Sequence, residues 1–156
     1  MKINFLKLDK KIYVISAVTL LLLIVSLVAY FYSNKGTRRQ FIYESVDQSS
    51  MYIESRYLPS KPLNGKIENY IDELVSGPIT ERARPLFGQG TKVNYCFENN
   101  YVLYVDLSSQ ALYTKDSNRD FESVFALAAK NIKYNFPSIK HVEFSVEKQP
   151  VFEGRY

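Results

Sequence analysis

The sequence predicts an α+β protein in which one N-terminal transmembrane helix precedes a small two-layer domain of order ββαββαβ. Three observations lead to this architecture. Residues 12–32 form an uncharged apolar run long enough to cross a bilayer. Two later segments carry apolar residues at helical spacing, and five shorter segments have the alternation or the aromatic and β-branched content of strands. The strands are expected to form a mainly antiparallel sheet with both helices on one face.

Charge is distributed unevenly along the 156 residues. Residues 1–39 contain seven Lys or Arg and one acidic residue, whereas the remainder contains 13 basic and 15 acidic residues. The formal net charge of +4 therefore comes from the flanks of the apolar run, and the following domain is mildly acidic. Such a domain lacks the basic surface that nucleic-acid backbones require, so we expect no nucleic-acid partner.

The apolar run is interpreted as an uncleaved membrane anchor between a short basic N-terminus, 1–11, and a basic linker, 33–40. Its length corresponds to about 30 Å of helix, the thickness of the hydrocarbon core. A secretory signal is shorter and is followed by small residues, whereas this run ends in Tyr30, Phe31 and Tyr32. Four Lys precede it and three basic residues follow it, and this slight excess favours an extracytoplasmic domain in the inner or plasma membrane.

The domain, expected over residues 41–148, begins with a predicted β-hairpin of strands 41–46 and 51–58. Asn64 is predicted to cap the first domain helix, whose apolar residues follow helical spacing. These residues are Ile67, Tyr70, Ile71, Leu74 and Val75. Gly77 and Pro78 end this helix, and residues 79–90, which include Arg82 and Arg84, are expected to form a loop.

A second hairpin is predicted from strands 93–97 and 101–107 around an Asn99-Asn100 turn. This turn places Cys96, Leu103 and Val105 on one face of the hairpin. The other face then carries Val93, Tyr95, Phe97, Val102 and Tyr104. Because two short helices cover one face only, Tyr95, Phe97 and Tyr104 are candidates for an exposed docking surface. The alternative is that these rings face the helices and build the core.

The C-terminal part is predicted to contain one helix and one strand before a tail, 149–156. Ser117 to Asp120 has the form of a capping box, and the helix after it carries one apolar stripe. The stripe consists of Phe121, Val124, Phe125, Ala128 and Ile132. The helix must stop before Pro137, and strand 141–146 alternates apolar Val142, Phe144 and Val146 with polar residues.

Four local segments resemble, in their order and spacing, the GerMN domain named for sporulation and germination proteins. They are Phe41-Ile42-Tyr43 with Tyr52 to Arg56, Tyr70 to Pro78, Gly90 to Val93, and Tyr104 to Ser108. The positions that carry the family's pattern are Arg56, Gly77, Pro78, Gly90, Thr91 and Asp106. Each also has a plain structural interpretation: a helix stop at Gly77-Pro78, a turn at Gly90, a strand-end cap at Asp106 and a solvated edge residue at Arg56.

The resemblance implies a domain that is non-enzymatic, membrane-tethered and extracytoplasmic, with a fold related to ring-building modules of envelope machinery. This chain departs from the family in having one copy instead of a tandem and no lipidated Cys. Phe87-Gly88 also stands where a Pro often precedes the Gly-Thr.

Catalytic chemistry finds little support in the sequence. A cysteine enzyme would need Cys96 beside His141 with a carboxylate such as Asp106, but Cys96 lies in an apolar strand where a buried thiol is expected. Asp72, Asp116 and Asp120 fall on helix surfaces or caps, and no phosphate loop or paired-Cys zinc spacing occurs. We therefore expect no enzyme activity, no cofactor and no metal.

The sequence leaves two classes of function open. The first is an anchored envelope module that binds other envelope proteins or self-associates. The second is an extracytoplasmic module that binds glycan or peptide through the aromatic face and the loop bearing Arg82 and Arg84.

Overall fold

The computed structural model describes residues 10–32, 36–47, 50–113, 120–151 and 156. The chain divides into two compact units, Met1–Lys35 and Gly36–Tyr156. The first contains helix α1, Lys10–Tyr32, whose bounds agree closely with the predicted anchor. Among the described residues, α1 is the one helix whose length and composition suffice to cross a membrane.

The second unit is an α+β domain, as the sequence predicts. Its elements are β1 Thr37–Ser45, β2 Met51–Leu58, α2 Lys66–Ser76, β3 Ala83–Arg84, β4 Val93–Asn99, β5 Val102–Leu107, a 3-10 helix Ser109–Leu112, α3 Phe121–Asn135, β6 His141–Val146 and β7 Gln149–Pro150. Helix α3 lies against β1 and β6, α2 lies against β4, and the two helices contact each other.

The strands form two sheets, so the prediction of a single sheet is wrong. One sheet has the order β2-β1-β3 and the other β4-β5-β6-β7. All described pairs are antiparallel except β5 with β6. Helix α3 connects these two strands, and such a crossover allows them to run in the same direction.

Two asparagines of α3 take the place of a neighbouring strand along β1. The amide of Asn131 accepts a hydrogen bond from Ile42 N–H at 2.7 Å and donates to Ile42 C=O at 2.8 Å. Asn135, one turn later, makes the same two bonds to Gln40 at 3.0 and 2.7 Å. One helical turn and two strand residues have similar lengths, about 6 Å, so both pairs fit at once. This pairing joins α3 to the first sheet.

Several predicted boundaries differ from the structure. Strand β1 begins at Thr37, inside the segment taken for a linker, because its first four residues pair with the end of β2. The cap of α2 is Gly65, at φ +88°, and not Asn64. Two short strands, β3 and β7, were predicted as loop and tail; they form by pairing with β1 and β6.

Helix α3 begins one turn later than the predicted capping box. Asp120 is its N-cap, and its carboxylate accepts hydrogen bonds from Glu122 N–H and Ser123 N–H. The predicted cap, Ser117, lies outside the described residues. The apolar stripe is confirmed for Val124, Phe125, Ala128 and Ile132, which are buried, whereas Phe121 is exposed.

Candidate functional site

Three aromatic rings lie side by side on the exposed face of the β4–β5 hairpin. Phe97 is paired with Tyr104 across the strands, and their rings stack with centroids 4.9 Å apart. The Tyr95 ring lies 6.0 Å from that of Phe97. Phe97 is 51% exposed and Tyr95 38% exposed, while Tyr104 is half-buried. Of the two alternatives for these rings, the structure therefore shows the one outside the core, and we call this surface the aromatic face.

The turn of this hairpin lies one residue later than predicted. Asn100 and Tyr101 occupy it, with φ +50° and +64°, and Asn99 pairs with Val102. Sliding a two-residue turn by one position shifts every cross-strand partner by two residues, and such a shift keeps each side chain on its face. The predicted separation of Cys96 from Phe97 and Tyr104 therefore holds.

Val93 is the exception to the predicted grouping of side chains. A bulge lies between Val93 and Tyr95, and Val93 pairs with core residue Leu107. An extra residue in one strand reverses which face the following side chains occupy. Val93 consequently packs on the core and not on the aromatic face.

Asp106 joins three strands beneath the aromatic face. Its carboxylate accepts hydrogen bonds from Ser145 Oγ at 2.6 Å, Asn94 Nδ2 at 2.9 Å and Lys148 N–H at 2.8 Å. Tyr95 Oη lies 3.4 Å from Ser145 Oγ, which links this cluster to the rings. Burial raises the pKa of Asp106, but the three hydrogen bonds outweigh it, so the pKa lies below its ordinary value. Asp106 thus holds the sheet under the rings.

Arg56 is buried, so its interpretation as a solvated edge residue is wrong. Its guanidinium donates to Glu54 Oε1 at 2.6 Å, to Glu73 Oε2 at 3.0 Å and to Gly77 C=O at 2.7 Å. It also lies over the Phe41 ring, 4.5 Å from the centroid. Glu54 in turn accepts from Ile79 N–H at 3.2 Å. These contacts tie β2 to the end of α2 and to the start of the following loop.

That loop borders a groove of about 760 Å³ whose lining includes family-pattern residues Pro78, Gly90 and Thr91. Thr91 Oγ1 donates to Gly88 C=O at 2.6 Å. A side chain at position 88 would collide with the carbonyl oxygens of Tyr113 and Gln110, so glycine allows the loop to lie against the 3-10 helix.

The two arginines of this loop are placed differently. Arg84 belongs to β3 and lines the groove, whereas Arg82 is exposed and outside its lining. None of the aromatic-face residues lines this groove. The structure therefore does not bring the two sets of candidate binding residues into one site.

Cys96 and His141 do not form a catalytic pair. Their strands are separated by β5, and the register offsets them by three residues, which places them about 14 Å apart. The register also puts Cys96 on the core face and His141 on the opposite face. Burial raises the pKa of the Cys96 thiol to about 12, and Glu68 and Asp72 act in the same direction. Within the described part of the chain, no cluster of three or more His, Cys, Asp or Glu is arranged to hold a metal.

Comparison with known proteins supplies the family. The model of the Germane family, whose description is sporulation and spore germination, matches residues 28–152. The first GerMN domain of the sporulation protein GerM from Bacillus subtilis is similar in structure, with a TM-score of 0.58 and 16% identity over 74% of this chain and 86% of that chain. None of the curated proteins matches the sequence.

The tandem GerMN domains of the same Bacillus subtilis protein are also similar, with a TM-score of 0.55 and 16% identity. The alignment covers 75% of this chain and 41% of the tandem. At this identity the two structures demonstrate a shared fold, and the matched segment 28–152 contains all six positions that carry the sequence resemblance. The chain therefore belongs to the Germane family, the sporulation and spore germination family.

Proposed function

We propose that this chain is a non-enzymatic, membrane-anchored module of the cell envelope that binds another protein through the aromatic face. The observation that supports it most directly is the exposed stack of Tyr95, Phe97 and Tyr104. Aromatic residues are enriched at the centres of protein interfaces because they bury a large area at a low cost in conformational entropy. One of the rings, Tyr95, also contacts the Asp106 cluster through Ser145 Oγ.

Helix α1 supports the membrane anchor of this proposal. Its apolar side chains from Ile12 to Phe31 are exposed. A helix that is apolar on every side requires an apolar environment, and a bilayer supplies one. The basic residues on both flanks suit anionic lipid headgroups.

The non-enzymatic part rests on the state of Cys96 and on its separation from His141. A thiol whose pKa is about 12 carries almost no thiolate at neutral pH, and thiolate is the nucleophilic form. His141, the imidazole that could act as its base, lies on the opposite face of the sheet.

A second candidate is binding of a small or polymeric ligand, such as glycan or peptide. The groove of about 760 Å³ favours it, since ligand sites are concave and combine apolar walls with a few polar groups. Pro78 and Phe87 supply apolar wall, while Thr91 and Arg84 supply polar groups.

The two candidates differ in whether substitutions on the aromatic face abolish binding. We expect the full chain carrying Tyr95→Ala and Tyr104→Ala to lose at least tenfold in partner capture or self-association, with a nearly unchanged thermal midpoint. Tyr57→Ala is the matched control, because Tyr57 is a 67% exposed aromatic on the other sheet. Capture is measured by photo-crosslinking in native membranes and self-association by sedimentation.

Three results would contradict the proposal. Unchanged capture by the folded double variant would remove the aromatic face as the docking surface. A loss of equal size in Tyr57→Ala would show that the effect is not specific to this face. A null phenotype in a folded Cys96→Ser protein of normal abundance would contradict the non-enzymatic role.

A further inference from the structure

Strand β4 is the last strand of its sheet, and no strand among the described residues pairs with its outer side. Asn99 and Val102 flank the two-residue turn, so this pair is hydrogen-bonded and the pattern alternates from there along the ladder. Phe97 therefore bonds to β5, whereas the N–H and C=O groups of Cys96 and Glu98 point away from it. Such outward groups are a template for another strand.

The usual protections of a sheet edge are sparse in this strand. Val93–Asn99 contains no Pro and no Lys, and its one charged residue is Glu98. The bulge lies at the start of the strand, so the stretch from Tyr95 to Asn99 is regular. Exposed edges in stable proteins are commonly blunted by Lys, Pro or a bulge. No described strand and no Pro or Lys protects the outer side of the regular part of β4, and α2 lies against this strand on the face that carries Cys96.

A shallow groove of about 170 Å³ lies between this strand and the start of α2. Gly65 and Ile67 line one side, and Cys96 and Glu98 line the other. Side chains of a strand alternate between the two faces of a sheet. A strand added to β4 would thus place one row of side chains in this groove and the other row beside Phe97 and Tyr95.

The groove lining has a small excess of negative charge, with two Glu and one Lys. Glu68 and Glu98 line it together with Lys66, and the charges of Glu68 and Asp72 reach Cys96. A strand with Lys or Arg in its groove-facing row complements this charge. Pairing of β4 with β4 of a second copy would instead bring two Glu98 carboxylates to the same edge, which is unfavourable.

We propose that the edge of β4 binds an extended segment of another polypeptide, with basic residues toward Glu68 and Glu98 and apolar residues toward the aromatic face. This inference deepens the proposed function and rests on it, since it names how the protein partner binds. The backbone supplies the hydrogen bonds, and the two rows of side chains supply the selectivity.

The test uses the full chain in detergent micelles and a displayed library of random heptapeptides as the probe. Glu98→Pro removes an N–H that makes no ladder bond, so we expect the fold and thermal midpoint to be retained while peptide binding falls at least tenfold. Glu98→Lys leaves the backbone intact and should shift the selected peptides from basic to acidic groove-facing residues. Amide exchange at Cys96 and Glu98 should slow when a selected peptide is added.

Equal enrichment of peptides on the wild type and on both Glu98 variants would overturn the inference, as would unchanged amide exchange. A dimer of the chain that disappears in Glu98→Pro would identify the occupant as a second copy and contradict a heterologous strand. If partner capture is lost in the Tyr95 and Tyr104 double variant but kept in Glu98→Pro, the proposed function is supported. The edge of β4 is then excluded as the binding site.

Discussion

At the scale of single residues, Arg56 connects three parts of the domain through one buried guanidinium. It contacts Glu54 of its own strand, Glu73 of α2 and the carbonyl of Gly77. The Glu73 side chain is 44% exposed, so solvent weakens that pair, whereas Glu54 is 12% exposed. The main contributions therefore come from Glu54 and Gly77, and loss of the cation would leave Glu54 without its ion-pair partner in a nearly dry site.

We predict that Arg56→Ala lowers the free energy of unfolding of the 36–156 domain by about 3–5 kcal/mol, as is typical when one partner of a buried ion pair is removed. Urea denaturation measures this loss. Arg38→Ala is the matched control on the neighbouring strand, because Arg38 is exposed and its guanidinium donates to the Ser55 hydroxyl at the surface. The control should stay within about 0.5 kcal/mol of wild type. A loss below about 1 kcal/mol in Arg56→Ala would contradict the structural role of the cluster.

Asp106 makes the free energy of unfolding of the domain depend on pH. Because its folded-state pKa lies below the ordinary value, the ionised carboxylate stabilises the fold above the unfolded pKa of about 3.9. This contribution is lost as the pH falls through the folded pKa. We predict that Asp106→Asn is less stable than wild type at pH 7 and that the difference shrinks between about pH 5 and pH 2.

Asp72 provides a control, because its pKa is shifted in the opposite direction to that of Asp106. Burial raises its pKa, and the charges of Glu68 and Glu73 raise it further, so ionisation of Asp72 opposes folding at neutral pH. Asp72→Asn should therefore be at least as stable as wild type at pH 7. Denaturation series at several pH values test both variants, and a constant difference for Asp106→Asn across this range would show that its hydrogen bonds do not favour the charged form.

At the scale of the elements, the β4–β5 hairpin carries strain in its turn. Both turn residues have left-handed φ values, +50° at Asn100 and +64° at Tyr101. Asn tolerates this conformation, whereas a residue such as Tyr is strained in it by about 1–2 kcal/mol. Lys140 N–H and His141 N–H donate hydrogen bonds to the backbone carbonyl of Tyr101, so a substitution of the Tyr101 side chain leaves these bonds in place.

We predict that Tyr101→Gly raises the free energy of unfolding by roughly 0.5–1 kcal/mol. Relief of strain exceeds the entropic cost of glycine, which is about 0.5–1 kcal/mol. Thermal or urea denaturation measures the gain. Val102→Gly, one residue later and buried, is the control and should destabilise the domain because it removes core contacts. Destabilisation by Tyr101→Gly would mean that the Tyr101 ring contributes more than the turn geometry costs.

At the scale of the whole molecule, we expect the domain to face away from the cytoplasm. We predict that alkaline phosphatase fused after Tyr156 is active, whereas a fluorescent protein that folds only in the cytoplasm is dark at the same position. The reason is the small excess of basic residues before the apolar run 12–32, with four Lys on that side and three Lys or Arg after the run. The reverse pattern would place the domain in the cytoplasm, and a mature protein that starts near Ser33 would show that α1 is a cleaved signal.

Local sequence patterns suffice to locate most elements of this protein. The length and uniform apolarity of α1, the span of β2 and the alternation of Val142, Phe144 and Val146 in β6 are patterns of neighbouring residues. The two faces of the β4–β5 hairpin were also predictable, because the error in turn position shifted the pairing by an even number of residues. The aromatic face could therefore be found from sequence, although its exposure could not.

The way these elements combine depends on contacts between residues that are far apart in the chain. Asn131 bonds Ile42 across 89 residues of chain, and Asp106 bonds Ser145 across 39. The strands β3 and β7 contain two residues each and exist through their pairing with β1 and β6. The division into two sheets, the burial of Arg56 and the open edge of β4 follow from such contacts. Their energies depend on distance in space and on the exclusion of water, neither of which is encoded in the local order of residues.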